Sequence, residues 1–182
     1  MWMAASRHRC DMTSFVVMGV AGCGKSTVGK ALAGHLQLAY LEGDDLHAPQ
    51  SVEKMTSGVP LTDNDRWPWL QRVGEQLSVL SGPAVVGCSA LRRVYRDYMI
   101  SHCTKRIAFI HLAAEQSVVA ERMASRDGHF MPPGLLASQY ATLEPLQPDE
   151  PGVVVDISHP VDFVVAEVIR VAENLQHNRC GH

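Results

Sequence analysis

The residues best suited to chemistry form a glycine-rich stretch near the start of the chain, Gly19-Val20-Ala21-Gly22-Cys23-Gly24-Lys25-Ser26. Glycines at these positions permit a tight turn whose backbone N–H groups point inward, and a helix beginning near Lys25 would add the positive end of its dipole. This pattern is typical of a phosphate-binding loop, or P-loop. Lys25 would reach the β- and γ-phosphates of a nucleotide, and the Ser26 hydroxyl would bind the accompanying magnesium ion.

The sequence on either side of the loop supplies the elements that the motif requires. Phe15-Val16-Val17-Met18 is an apolar, largely β-branched run that predicts a strand, and Val28, Leu32 and Leu36 follow at helical spacing. A strand before the loop and a helix after it favour a nucleotide site over a plain glycine-rich connector. We predict that this site consists of Gly19, Ala21, Gly22, Cys23, Gly24, Lys25, Ser26 and Thr27.

Polar residues also gather after the second predicted strand, residues 38–41. That strand ends at Glu42-Gly43-Asp44-Asp45, and ligands of open parallel sheets bind beyond the carboxyl ends of the strands. We therefore assign chemistry to Asp44, and we assign Asp45, which precedes Leu46, to the N-cap of the next helix. His47, Lys54 and Arg66 follow before the third strand, where a lone residue of each type would ordinarily be a surface group.

The rest of the chain alternates strands with helices. This order predicts an α/β domain with a parallel sheet covered on both faces. Pro68 is expected in the first turn of a helix over residues 67–80, with its cap in residues 62–65. Turn residues at 126–133 predict a flap. The remaining predicted strands are residues 83–88, 106–112 and 152–157. One further helix follows the third strand and ends near residue 101, and three others span residues 115–126, 134–143 and 161–175.

Composition limits the classes of function. The chain has 182 residues, 46% of them hydrophobic, and a formal net charge of −3, which predicts one globular domain without an electrostatic surface for nucleic acid. No stretch approaches the about 18 apolar residues of a membrane span. Its five cysteines lack CxxC spacing, so we expect neither disulfides nor zinc, and a cytoplasmic location. Residues 14–176 should form the domain, with flexible tails at 1–13 and 177–182.

Taken together, these residues resemble the gluconokinases, a family of small P-loop kinases related in fold to the shikimate kinases. The resemblance spans residues 15–173. It departs from the family pattern at Ala21 and Cys23, where small hydroxyl residues are common, and at Ala48, which separates His47 from a proline. The matching blocks are Met18-Gly19-Val20 with the loop, Gly43-Asp44-Asp45-Leu46-His47, Lys54-Met55 with Gly58 and Pro60-Leu61, Asp63-Asn64-Asp65-Arg66 with Trp69-Leu70, Cys88-Ser89-Ala90-Leu91, Tyr95-Arg96-Asp97, Gly128-His129-Phe130, Leu143-Glu144 and Val154-Val155-Asp156.

The resemblance implies a three-layer P-loop kinase fold with five parallel strands and a lid at about residues 127–142. It also implies transfer of the γ-phosphoryl group of ATP to the 6-hydroxyl of D-gluconate, with Mg²⁺, in a homodimer. Asp44 would orient or deprotonate the attacking hydroxyl, or hold magnesium through water. Arg122 and Arg126 would neutralise the transferring phosphate. The residues expected to bind gluconate are Asp44, His47, Lys54, Arg66, Arg92 and His129, although His129 could reach either ligand.

Two alternative functions and two roles for Cys23 stay open at this point. A kinase for another small hydroxylated metabolite, such as shikimate, would use the same loop. A nucleotide-dependent regulatory protein would also carry a P-loop, although the chain has no Asn-Lys-x-Asp tetrapeptide for recognising guanine.

Cys23 would be a reactive thiol if its side chain faced the cleft beside Lys25, because the helix dipole and the ammonium both favour a thiolate. It would be structural if the side chain packed away.

Overall fold

The computed structural model describes residues 13–125 and 133–177, which contain a five-stranded parallel sheet. The strands follow the order β2-β3-β1-β4-β5 across the sheet, so β1, which leads into the glycine-rich loop, lies at its centre. The parallel sheet predicted from the sequence is thereby confirmed. The strands are β1 (Ser14–Met18), β2 (Ala39–Glu42), β3 (Ala84–Gly87), β4 (Ile107–Ala113) and β5 (Gly152–Asp156).

Helices connect the strands and cover both faces of the sheet. A short 3₁₀ turn, Gly43–Leu46, follows β2 directly. The α-helices are α1 (Lys25–Leu36), α2 (Pro49–Thr56), α3 (Asp63–Val79), α4 (Arg93–Ser101), α5 (Gln116–Ala124), α6 (Pro133–Thr142) and α7 (Val161–His177).

The alternation of side chains along β1 divides the hydrophobic core in two. Phe15 and Val17 pack in one buried cluster with residues of α1 and α7, whereas Val16 and Met18 pack in another with residues of α3 and α4. Successive side chains of a strand point to opposite faces, so a fully apolar strand must be covered on both. The three-layer arrangement follows from this requirement.

Two helix starts differ from the sequence-based expectation. Asp45 is not the N-cap of α2, because the backbone turns as a 3₁₀ helix over Gly43–Leu46 and α2 begins only at Pro49, after Ala48. Proline suits that first position, where its missing N–H would have no helical partner. Pro68 is not in the first turn of α3, because a capping box between Thr62 and Asp65 starts that helix at Asp63 and leaves Pro68 inside it.

A buried arginine joins the chain after β3 to the chain after α6. The side chain of Arg96 is 0% exposed and that of Glu150 is 3% exposed, and Arg96 Nη2 donates to Glu150 Oε2 over 2.8 Å. Nη1 of Arg96 donates to the backbone carbonyls of Ala90, Leu91 and Glu144. One guanidinium group therefore fixes two segments that are far apart in sequence.

Helix α6, which falls within the predicted lid at residues 127–142, packs against the core. Leu136 is 4% exposed and belongs to the cluster that contains α1 and α7. The Tyr140 hydroxyl donates to the Ala114 carbonyl over 3.0 Å. The predicted flap spans residues 126–133, and its residues 126–132 lie outside the described residues.

Among the helices in the described ranges, 13–125 and 133–177, none combines the length and apolar character needed to cross a membrane.

The buried histidine of β4 makes stability depend on pH. His111 is 3% exposed, and burial, together with the nearby Arg96 charge, lowers its pKa to about 4. The unfolded chain takes up this proton near pH 6.5, so acidification below that pH favours unfolding. We expect the His111 contribution to lower the free energy of unfolding by about 2 kcal/mol between pH 7 and pH 4.5.

Urea denaturation at the two pH values measures this change. His111→Gln should remove most of the His111 contribution, whereas His159→Gln, which alters an exposed histidine, should leave the pH dependence near that of the wild type. A His111→Gln variant whose stability depends on pH as strongly as that of the wild type would contradict the assignment.

Candidate active site

A cavity of about 620 Å³ lies at the carboxyl ends of the central strands, and we call it the active-site cavity. The P-loop and the start of α1 form one wall. The turn after β2, the connection between α2 and α3, the loop after β3 and one face of α6 form the others. Both polar clusters identified in the sequence, at the P-loop and after β2, therefore open into the same space.

The P-loop conformation depends on backbone geometry that only glycine adopts easily. Gly22 has φ +79° and Gly24 has φ +98°, values in the left-handed region. Gly24 is the N-cap of α1, so the positive end of that helix dipole faces the cavity. Nζ of Lys25 donates to the Val20 carbonyl over 3.0 Å, which holds the ammonium across the loop.

Most of the predicted nucleotide-binding residues reach the active-site cavity. Those that line it are Ala21, Gly22, Gly24, Lys25, Ser26 and Thr27. Gly19 lies behind the loop, where an added Cβ would meet the Leu112 carbonyl oxygen at 2.8 Å. The Cys23 side chain also faces inward and is 3% exposed in the hydrophobic core, so the structure has the arrangement in which this thiol packs away from the cleft.

Asp44 and His47 lie on the wall formed by the turn after β2. The His47 ring stacks on Trp69, with centroids 4.2 Å apart, and Trp69 Nε1 donates to the Gly43 carbonyl over 2.7 Å. Burial lowers the pKa of His47, although the Asp44 charge opposes the change. His47 Nδ1 is buried and has no hydrogen-bond partner in the described part of the chain, and the lowered pKa favours the neutral imidazole.

Arg66 brings a cation to the same cavity. Its Nη1 donates to Asp63 Oδ1 and to the Tyr95 hydroxyl, each over 3.2 Å. Tyr95 in turn donates to Asp63, and this hydrogen bond, aided by Arg92 and Arg66, lowers the pKa of the Asp63 carboxyl. The network keeps Asp63 ionised and fixes the orientation of the Arg66 guanidinium.

Two other predicted substrate-binding cations do not line the active-site cavity. Lys54 Nζ contacts Asp65 Oδ1 over 2.7 Å, where it stabilises the start of α3. Arg92 Nη1 contacts Asp63 over 3.0 Å, and Arg92 Nε contacts Glu144 over 3.3 Å. In this structure each of these side chains is paired with a carboxylate at the rim, and their contact with the substrate stays a prediction.

The two arginines expected to neutralise the transferring phosphate, Arg122 and Arg126, are not found at the active-site cavity among the described residues. Arg122 Nη2 donates to the His159 carbonyl over 2.9 Å at an exposed position, and this hydrogen bond directs it to the loop between β5 and α7 instead of the active-site cavity. Its neighbour Met123 does line the cavity. Arg126 and His129 lie outside the described residues.

Several residues that line the active-site cavity were not predicted from the sequence. Trp69 and Tyr95 belong to motif blocks that were recognised, and aromatic residues beside Arg66 and His47 were available as a signal. Gln139 had no such signal, since it belongs to an ordinary helical pattern. Its Oε1 accepts a hydrogen bond from the Ala21 N–H over 2.6 Å, which connects α6 directly to the P-loop.

The donor set of the cavity fits magnesium. In the described ranges, 13–125 and 133–177, no three His, Cys, Asp or Glu side chains form a cage that could hold a metal ion. Magnesium bound with a nucleotide needs no such cage, because it takes one or two protein oxygens and fills its octahedron with phosphate oxygens and waters. The Ser26 hydroxyl and the Asp44 carboxylate, which line the same cavity, supply such oxygens.

Known proteins resemble this chain over most of its length. The family model described as shikimate kinase matches residues 21–133. A gluconokinase from Gluconobacter oxydans (strain 621H) is 46% identical over 159 residues, which cover 85% of this chain and 88% of that protein. The thermoresistant gluconokinase of Escherichia coli (strain K12) is 39% identical over 173 residues, which cover 93% of this chain and 97% of that protein.

Solved structures give the same result. The crystal structure of a gluconokinase from Sinorhizobium meliloti 1021 superposes with a TM-score of 0.86 at 45% identity, and covers 93% of this chain and 97% of its own. Shikimate kinase from Aquifex aeolicus vf5, at 17% identity and a TM-score of 0.54, shares the fold. With its P-loop, its cavity and relatives at this identity and coverage, the chain belongs to the gluconokinase family.

Proposed function

We propose that the protein is a gluconokinase that transfers the γ-phosphoryl group of ATP to the 6-hydroxyl of D-gluconate, giving 6-phospho-D-gluconate and ADP. The observation that carries the proposal is that the P-loop, Asp44, His47 and Arg66 line one cavity. This cavity has a phosphate-binding wall and a second wall with a carboxylate, an imidazole and a guanidinium. Family membership at 39–46% identity to named gluconokinases supports the choice of substrate.

The P-loop side of the cavity would bind the phosphates. Backbone N–H groups at the start of α1 and the ammonium of Lys25 offer positive charge to the β- and γ-phosphates. Lys25 would exchange its hydrogen bond to the Val20 carbonyl for phosphate oxygens. Magnesium, when bound, would neutralise phosphate charge, and Ser26 and Asp44 are the residues that would hold it.

The second wall, with Asp44, His47 and Arg66, would orient the acceptor. Gluconate carries one carboxylate and five hydroxyl groups, so its site needs one cation and several neutral hydrogen-bonding groups. Arg66 is the cation of that wall, and the His47 imidazole is a neutral partner. Asp44 would accept a hydrogen bond from the 6-hydroxyl and take its proton as the new O–P bond forms.

Other parts of the proposal rest on the family resemblance. Lys54 and Arg92 would support the site through their contacts with Asp65 and Asp63. Arg122, Arg126 and His129 are proposed to approach the ligands when the flap predicted at residues 126–133 closes. This movement would have to break the contact between Arg122 and the His159 carbonyl. We also propose a homodimer and a cytoplasmic location.

A kinase for shikimate is the alternative that the shikimate kinase family model brings to mind, and it is not favoured, because the relatives at 39–46% identity are gluconokinases. A regulatory nucleotide-binding protein is not favoured by the relatives. A coupled assay of ADP release with gluconate, shikimate and no acceptor separates these candidates. We expect release with gluconate alone. Equal rates with shikimate, or release that ignores every acceptor, would refute the proposal.

Asp44→Asn tests the role of the carboxylate. Loss of the acceptor for the hydroxyl proton should lower kcat by about 10²- to 10⁴-fold, whereas the Kd for ATP should change far less. Single-turnover kinetics and nucleotide titration measure the two quantities. Asp45→Asn is the matched control, since Asp45 is the adjacent exposed carboxylate and does not line the cavity. An Asp44→Asn enzyme with the kcat of the wild type would contradict the role.

Arg66→Met tests the cation of the acceptor wall. Removing a charged hydrogen-bond donor should raise the KM for gluconate by about 10- to 100-fold and leave the KM for ATP within about twofold. Steady-state kinetics with each substrate varied in turn measures both. Arg170→Met changes an exposed arginine of α7 and should behave as the wild type. A change confined to the KM for ATP would instead assign Arg66 to the nucleotide.

A further inference from the structure

The inner face of α6 is lined by neutral groups only. Leu135, Ser138, Gln139 and Thr142 line the active-site cavity from this helix, and their spacing places them on one face. The helix sequence, PGLLASQYAT, contains no lysine, arginine or histidine. Such a surface suits uncharged hydroxyl groups better than phosphate, because it offers hydrogen bonds without positive charge.

Gln139 is held in a defined orientation on this face. Ala21 N–H is a donor, so the atom that faces it over 2.6 Å is the amide oxygen of Gln139. This contact fixes which side of the amide points to the P-loop. The NH₂ group is directed elsewhere, and it donates to no atom in the described part of the chain.

The helix that carries Gln139 is anchored to the rest of the domain. Leu136 is buried in the core, and the Tyr140 hydroxyl is bonded to the Ala114 carbonyl. At the end of the helix, Leu143 N–H donates to the carbonyls of Gln139 and Tyr140, and Glu144 N–H donates to the Leu91 carbonyl. Gln139 is therefore a preorganised donor, and holding it in place requires little further ordering when a ligand binds.

We propose that Gln139 is a substrate-specificity residue whose NH₂ group donates a hydrogen bond to a secondary hydroxyl of the polyhydroxy acid substrate. In the proposed function Arg66 binds the carboxylate of the substrate, and Asp44 binds the hydroxyl that is phosphorylated. Gln139 then donates to a hydroxyl of the carbon chain between these two ends, so its position selects the configuration of that hydroxyl. The Gln139 amide oxygen keeps its hydrogen bond with the Ala21 N–H of the P-loop. This inference rests on the proposed function and adds the residue that recognises the polyol.

The test combines a variant with altered substrates. Gln139→Met keeps the length of the side chain and removes both the donor and the acceptor. The kcat/KM of the wild type and of this variant is measured for gluconate and for its 2-, 3-, 4- and 5-deoxy analogues. Gln147→Met is the matched control, because Gln147 is an exposed glutamine whose side chain bonds only to the Pro145 carbonyl among the described residues.

We expect Gln139→Met to lower kcat/KM for gluconate by about 10- to 100-fold, with the KM for ATP within about twofold. One deoxy analogue should lose about as much with the wild-type enzyme, yet lose almost nothing further with the variant. That non-additivity identifies the hydroxyl that Gln139 contacts. Gln147→Met should match the wild type with every substrate.

Other outcomes overturn the inference. If each deoxy analogue loses the same factor with the variant as with the wild type, Gln139 does not contact a hydroxyl. If only the KM for ATP changes, its role is confined to the P-loop. A wild-type enzyme that rejects gluconate refutes the proposed function separately. The same comparison, made with the acceptor that the enzyme does use and with its deoxy analogues, then decides the role of Gln139.

Discussion

The buried ion pair between Arg96 and Glu150 is the constraint on which the geometry of the site depends. Its guanidinium group also holds the carbonyls of Ala90, Leu91 and Glu144, so it connects the loop after β3 to the end of α6. Leu91 lines the active-site cavity. Removal of one member would leave an unpaired buried charge, which typically costs about 3–5 kcal/mol. The distance between two walls of the site is therefore set by a group that never touches a ligand.

The distribution of charge around the cavity follows from carboxylates placed at its rim. Asp63 binds Arg66 and Arg92, Asp65 binds Lys54, and Glu144 binds Arg92. Only Arg66 of these three cations also lines the cavity. An acceptor site with one oriented guanidinium and several neutral donors matches a molecule that has one carboxylate and many hydroxyl groups. The same pairing makes the site unsuited to a second anionic group on the acceptor.

The sequence was sufficient for those parts of the site that local chain geometry determines. The strand, the glycine-rich loop and the helix at Lys25 form one continuous segment, so their arrangement follows from the motif. The directions of Lys54, Arg92 and Arg122 could not be predicted, because their partners Asp65, Asp63 and the His159 carbonyl meet them only after folding. Gln139 was missed for the same reason, since its contact with Ala21 spans 118 positions of the chain.

The central claim is that phosphate passes to the terminal hydroxyl of gluconate, and the most direct measurement identifies the product. The purified enzyme is incubated with ATP, Mg²⁺ and D-gluconate, and proton–phosphorus correlation NMR then assigns the carbon that carries the new phosphate. The account predicts a single product with phosphorus coupled to the protons on C6. Phosphate on another carbon, or inorganic phosphate without a sugar phosphate, would contradict it.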